Sequence, residues 1–383
     1  SFATILLACA TYYTMAVLVQ LNGTTRIRFA LLPIVLWTSW SVMPLEPPGD
    51  ATQLQTNIAL STGIVIFSGR SIAWAFVKEP FRRLPFQDKD SAPHGKRSNI
   101  PVDVSESQGN NICKALWDAC DLVLNVRGIG WSWSCSRYAR YGTPQSRAKF
   151  LLKTIAHIAC DALAADVAVE TARTILPATT GPMTIIDTNL PFPQQLLHAS
   201  ILSAIYISVI YFMVDLYYRT VAFCCVAVLL HRPEQWPPLF DDPWRSTSLG
   251  DFWGKRWHQL LRDYVVSLGS QPLMACLTKL SALSVLAAFF VSGILHDISF
   301  RSMRKGGEPV QMIFFVMQGV GVVLERAFSE RWVHARLRKS PWSRVAGRVW
   351  TFSWLLVWGI PFVESNTRAD LFRIALFPES LKP

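Results

Sequence analysis

Ser281-Ala-Leu-Ser-Val-Leu-Ala-Ala-Phe-Phe-Val-Ser-Gly-Ile-Leu-His-Asp297 closes an apolar run that begins at Ala275. The run is long enough to cross about 30 Å of hydrocarbon as a helix. One helical face carries Ser281, Ser284, Ala288, Ser292 and His296, a small and weakly polar stripe in a Leu/Val/Phe helix. Small faces let helices approach closely or line a cavity. An ionisable side chain at membrane depth costs several kcal/mol unless it is paired or wetted, so it is a functional candidate by default. Asp297 is the next residue. Neighbours on a helix point about 100° apart, so the carboxylate need not meet the ring of His296.

The same kind of run recurs along the 383 residues. Further candidate spans are Phe2–Leu21, Phe29–Met43, Thr56–Val77, Phe150–Val169, Leu196–Val214, Val310–Phe328 and Gly347–Val363. Leu216–Leu230 is apolar too, but Asp215 and Arg219 separate it from the span before it. It is a ninth span, the continuation of a long helix, or an in-plane segment. The expected fold is an all-α integral membrane protein, a multi-pass bundle of about 8–10 transmembrane helices with amphipathic interfacial helices. The composition agrees, with 51% hydrophobic and 16% charged residues. A soluble domain is nearer a quarter charged. Fifteen tryptophans suit aromatic belts at the two interfaces.

Net charge is +11, which in a soluble chain suggests nucleic acid. Here the cations fall mostly in loops between apolar runs, so nucleic acid is excluded in favour of loop orientation and anionic ligands or lipids. Residues 126–149 and 329–346 are basic and are expected to face the cytoplasm, whereas 44–55 and 174–195 lack Lys and Arg and are expected to face the lumen. That places 232–272 on the cytoplasmic side. Arg301, Arg304 and Lys305 then fall on the opposite side from the rule. The whole chain, 1–383, reads as a single membrane-embedded domain. Residues 78–148 form a cytoplasmic loop, polar over Phe86–Gln108 and with an amphipathic surface helix at 110–125, and 232–297 hold the chemical motifs. The chain opens at Ser1 rather than Met, the expectation for a trimmed N-terminus.

The eight cysteines show no metal-ligand spacing, and no metal is expected. Nucleophile-elbow, phosphate-loop, dinucleotide and zincin motifs are absent. No internal repeat supports an inverted-repeat transporter. His157 lies in an apolar helix with Lys153 and Asp161 one turn to either side; His94, His198, His231 and His334 sit at segment ends or in loops and read as structural.

A second stretch, 248–268, carries more signal. Ser248-Leu-Gly-Asp251 resembles a capping box. Beyond it Trp253, Trp257, Leu260, Leu261, Tyr264 and Leu268 keep helical spacing on one face, with Asp251, Lys255, His258 and Arg262 on another. The spacing predicts one continuous interfacial helix.

Three stretches together resemble the membrane-bound O-acyltransferase superfamily, in its wax-synthase-like fungal branch. They are Asp242-Pro-Trp-Arg-Ser-Thr-Ser-Leu-Gly-Asp-Phe-Trp-Gly-Lys-Arg-Trp-His258, Val291-Ser-Gly-Ile-Leu-His-Asp297 and, less specifically, Asn125-Val-Arg-Gly-Ile-Gly-Trp-Ser-Trp133. The similarity covers most of 120–365. It implies transfer of an acyl group from acyl-CoA to a hydroxyl, with His296 as the active-site histidine. His258 stands where the family most often has asparagine. In this branch the resemblance points to acetyl-CoA and a lipophilic alcohol of terpenoid or meroterpenoid type, in the endoplasmic reticulum membrane. Arg245, Trp253, Lys255, Arg256 and Arg262 are the expected CoA-side residues, and Ser292, Asp297 and Trp257 the expected substrate-tunnel residues. The rival readings are a wax ester or other neutral-lipid synthase using long-chain acyl-CoA, an integral-membrane terpene cyclase, and a transporter.

Overall fold

The computed structural model describes residues 2–44, 48–84, 111–134, 145–178, 181–270, 282–303, 307–332 and 341–373. Among them the chain is helical, with a single isolated bridge between Arg83 and Trp131 and no strand. The helices are α1 (Phe2–Leu18), α2 (Thr25–Trp40), α3 (Ala51–Ala75), α4 (Ile112–Leu124), α5 (Arg147–Ile175), α6 (Phe192–Ala227), α7 (Leu249–Asp251), α8 (Arg262–Val265), α9 (Ala282–Arg301), α10 (Pro309–Trp332) and α11 (Pro341–Arg368). Within the described residues, each of the eight spans expected from the sequence falls on one of the long helices; residues 275–281 of the span ending at Asp297, Ser281 among them, lie outside the described residues. Four of them, α3, α6, α9 and α10, are long and apolar enough to cross a membrane. α1 is a shorter apolar helix. Large apolar side chains stay exposed on their outer faces, among them Trp37, Leu152 and Leu197, as expected of surfaces that meet lipid rather than water. The protein is an all-α membrane protein. Phe86–Gln108, Arg137, Arg140, Arg304, Lys305, His94 and His334 lie outside the described residues.

α6 runs unbroken for 36 residues, about 54 Å, so Leu216–Ala227 is the continuation of one long helix. The charges that interrupt the sequence pattern are absorbed within the bundle. Arg219 Nε donates to Asp215 Oδ2 one turn earlier at 2.8 Å and reaches Asp161 Oδ2 on α5 at 3.2 Å. A buried charge persists only when paired in this way.

Three cores organise the bundle. One joins α1, α2, the end of α3 and α4 through Tyr12, Met15, Trp74, Ala119 and Leu122. A second packs α5 and α6 against the C-terminal turn at Phe372. The third is aromatic and gathers Tyr218, Trp236, Phe240, Phe252 and Trp257. The amphipathic segment is present as α4, capped by Asn111, whose Oδ1 accepts from Lys114 N. It buries Ala115, Ala119 and Leu122 and exposes Ile112, Leu116 and Trp117.

The expectation of one continuous helix over 248–268 is overturned. Ser248 does cap α7, accepting from Asp251 N at 2.9 Å. The chain then widens into a π-turn over Phe252–Arg256, closed by Trp257 N to Phe252 O at 2.8 Å, and Trp257 leaves in an extended conformation. Helix resumes only at α8, followed by a second π-turn over Val266–Ser270. Polar side chains take up the carbonyls that a helix would have used. Gln259 Nε2 donates to Trp257 O at 2.7 Å and Trp253 O at 3.2 Å, and Arg262 donates to Gly254 O. A one-residue widening shifts every later side chain by about 100°, so the polar face read from spacing dissolves.

Candidate active site

His296 sits on α9, four residues after Ser292, and its Nδ1 lies 2.8 Å from Ser292 O. A carbonyl oxygen only accepts, so Nδ1 carries the proton and Nε2 of the neutral ring holds the free lone pair. The ring also lies tilted against Phe315 of α10, centroid to centroid 4.0 Å. Orientation and tautomer are therefore both set by the scaffold. α9 and α10 approach closely because Gly293 faces α10: a Cβ there would come 2.7 Å from Met312 Sδ. Ser292 acts through its backbone oxygen. Asp297 turns away from the imidazole and pairs with Arg301 at 2.7 Å.

His258 lies in the break between α7 and α8, outside the spanning helices. Its ring meets Phe240 edge-on at 5.9 Å and tilts against Trp257 at 5.5 Å. The residue is half-buried as a whole, but its Nδ1 is buried and has no hydrogen-bond partner among the described residues. Burial, and then the nearby charges of His296 and Arg127, push its pKa down to about 3. The ring is a neutral imidazole at physiological pH. The spacing placed it on one helical face with Asp251, Lys255 and Arg262; the π-turn separates it from them and brings it inside, toward His296.

The tryptophans of the motif build the wall. Trp253 packs edge-on against Phe289 and Phe314, at 6.0 and 6.3 Å, and tilts over Phe315 at 6.1 Å. Trp257 stacks on Phe252 at 5.3 Å in the aromatic core. Among the cations, Arg256 Nε donates to Asp251 Oδ2 at 2.6 Å and its Nη1 to Asp241 O at 3.0 Å. Arg262 holds Gln259 Oε1 at 2.9 Å as well as Gly254 O. Both arginines clip the broken helix into shape. Arg245 and Lys255 are more exposed, and pair with Asp242 at 3.2 Å and Asp241 at 3.3 Å.

Several neighbours carried no signal that spacing reveals. Gln318 is fully buried, and its Oε1 accepts from Trp253 Nε1 at 3.3 Å. An indole N–H only donates, which fixes the amide's orientation. Gln318 Nε2 is then a buried donor with no partner among the described residues. Arg127, read from sequence as a loop cation in the least specific of the three resembling stretches, donates to Tyr218 Oη at 3.1 Å and Pro237 O at 2.9 Å. A tight turn places it, in which Asn125 and Ile129 exchange bonds of 2.9 and 3.2 Å. Gly128 and Gly130 take positive φ, of 63° and 79°, that side-chain-bearing residues rarely adopt.

An imidazole with its Nε2 lone pair free, a second buried imidazole and an orphan amide donor stand in an apolar interior, and no group of three metal-ligating side chains occurs among the described residues. The comparisons supply the class. Residues 236–317 match the membrane bound O-acyl transferase family, a range holding both histidines. The chain is 28% identical to the acetyltransferase atnC of an Arthrinium species over 352 residues, 86% of this chain and 79% of that protein. It is 24% identical to the O-mevalon transferase yanI of Aspergillus niger, over 78% of this chain and 69% of that protein. A long-chain-alcohol O-fatty-acyltransferase of Simmondsia chinensis is 33% identical over 95 residues, 23% of this chain and 27% of that protein. The chain is an acyltransferase, similar over residues 236–317 to the membrane bound O-acyl transferase family and over most of its length to a fungal acetyltransferase. The acetyltransferase relatives imply an acyl-CoA co-substrate.

Proposed function

We propose that the protein is an O-acetyltransferase that moves acetyl from acetyl-CoA to the hydroxyl of a lipophilic metabolite of terpenoid or meroterpenoid type. The observation that carries this reading is the His296 tautomer. With Nδ1–H given to Ser292 O, Nε2 is the base. It takes the alcohol proton as the oxygen attacks the thioester carbon. The C–S bond then breaks, and the proton passes from imidazolium to the departing thiolate. A thioester is already activated, so no covalent enzyme intermediate is needed, and base assistance contributes about 10²–10⁴-fold. The buried ring nitrogen of His258 and the orphan amide of Gln318 are the available donors toward the developing oxyanion. A neutral His258 donates without adding charge to an apolar interior.

The exposed Arg245 and Lys255 suit the CoA phosphates; Arg256 and Arg262 support them by holding the loop. Ser292, Asp297 and Trp257 support the site from its walls rather than as acceptor contacts. The apolar surface and spanning helices suit an acceptor delivered from the bilayer, and residence in the endoplasmic reticulum membrane completes the proposal. Acetyl is preferred to a long chain because the acetyltransferase match runs over most of the chain, whereas the fatty-acyltransferase match takes in less than a quarter of it.

The test is incubation of the purified protein with acetyl-CoA or palmitoyl-CoA and an extract of candidate alcohols, read by mass spectrometry. The expected product gains one acetyl unit. A product gaining only the long chain replaces the acetyl assignment, and labelled acetyl-CoA that neither binds nor is consumed removes it.

A further inference from the structure

Glu325 lies near the C-terminal end of α10, about 15 Å along the helix from Phe315, the residue beneath His296. Its carboxylate is fully engaged by another part of the site. Oε1 accepts from Leu249 N at 2.6 Å, and Oε2 from Gly250 N at 3.0 Å. Oε1 also accepts from Trp350 Nε1 of α11 at 2.8 Å. These are the first two backbone N–H groups of α7, the start of the segment that delivers His258. Bonds to an ionised carboxylate are roughly twice as strong as neutral ones, and two parallel bonds fix geometry as well as distance.

The surroundings are shaped for this clasp. Gly321, one turn earlier on α10, faces Leu249: a Cβ there would sit 2.5 Å from Leu249 Cδ1 and 2.7 Å from Trp354 Nε1. Leu249 is fully buried in the space that Gly321 leaves. On α11, Gly347 lets the preceding chain pass, since a Cβ there would meet Thr247 O at 2.4 Å. The clasp continues along the segment. Ser248 caps Asp251 N, Asp251 holds Arg256, and Arg256 holds the carbonyl of Asp241. Trp257 N closes the π-turn immediately before His258. α10 therefore touches the site three times: Phe315 under His296, Gln318 on Trp253, and Glu325 on the start of the His258 segment.

We propose that Glu325 is a positioning residue for acyl transfer. It locks the His258 segment to the helix that also supports His296, and so sets the register between the two imidazoles. The inference rests on the acyl-transfer reading above. Glu325 touches no reacting atom in this scheme. It acts through the backbone of residues 249 and 250.

Parent protein is assayed first with labelled acetyl-CoA and its acceptor. No transfer by the parent defeats the acyl-transfer reading itself; the inference about Glu325 is decided by the variants once the parent turns over. Glu325→Ala, Glu325→Gln, Trp350→Phe and Gly321→Ala are then compared, with kcat counted per folded molecule from the monodisperse fraction on size exclusion. A misplacement of about 1 Å can cost on the order of 10²-fold, and a loss of that order is expected in the kcat of Glu325→Ala, with KM for acetyl-CoA held. Glu325→Gln keeps one acceptor and turns a donor toward the other N–H, so it falls between parent and Glu325→Ala. Trp350→Phe removes only the indole bond and has the smallest effect. Gly321→Ala displaces Leu249 and lowers kcat with Glu325 intact. The inference is overturned if Glu325→Gln keeps parental kcat. It is equally overturned if the Glu325 variants raise KM for acetyl-CoA at unchanged kcat, or if kcat per folded molecule stays constant while only the folded yield drops. If Glu325→Ala does not fold, Glu325→Gln and Gly321→Ala decide the matter by the same readings.

Discussion

The two histidines come from regions built in opposite ways. His296 belongs to a regular 20-residue helix, and its own backbone, one turn back, sets its tautomer. His258 belongs to a segment that alternates twice between α and π turns in 22 residues and depends on distant partners. A local bond survives most changes elsewhere in the bundle. A ring at the end of a clipped and widened turn does not. The difference teaches that His296 is robustly placed, while the His258 segment is the fragile and adjustable part of the candidate site.

The largest effect expected along this contrast is at the base. His296→Ala should lower kcat by about 10²–10⁴-fold in membranes carrying equal amounts of protein. Near-parental turnover would remove the base assignment. His258 comes next. His258→Asn restores the residue most frequent at this position in the resembling family and retains a donor, so it should keep substantial activity. His258→Ala should lose much of it. Equal losses in both variants would show that the imidazole itself is required.

Arg256 and Arg262 test whether clips rather than ligand contacts dominate the second region. Each removal deletes charge-assisted bonds worth about 1.5–3 kcal/mol. Arg256→Ala and Arg262→Ala should lower thermal stability and kcat together. A rise in KM for acetyl-CoA at unchanged kcat would make them phosphate contacts instead. Arg245→Ala and Lys255→Ala should do the reverse, raising KM modestly with less effect at high ionic strength.

The smallest effect is on pH. His258 in the folded protein resists protonation down to about pH 3, while the unfolded chain takes up a proton near the ordinary value of 6.5. Between those two values the unfolded state binds more protons, so stability rises with pH across the window and is lost as pH falls below about 6.5. His258→Asn should flatten the acid side of a thermal-stability profile. An unchanged slope would mean that His258 is protonated in the fold.

The spanning pattern was legible because burial in lipid demands long, uniformly apolar, internally bonded helices, and each such run lies on a helix within the described residues. His296 was legible for the same reason: a titratable group in apolar surroundings stands out without knowledge of its neighbours. Asp161, Asp215 and Arg219 were visible as interruptions, but their triangle needs two helices side by side. The 248–270 segment misled because helical periodicity assumes that each carbonyl is taken by the residue four along. Gln259 and Arg262 take those carbonyls, and no spacing rule counts such side-chain competitors.

By itself the sequence determined the class of solvent and the position of the long helices among the described residues, and it singled out His296 as a candidate, all properties of single segments. Only the tertiary structure decided that His258 turns inward, that Gln318 has a donor without a partner among the described residues beside Trp253, and that Glu325 fastens α7 to α10. Those are properties of pairs of segments. They depend on which glycine lets two chains touch and which side chain reaches a carbonyl first.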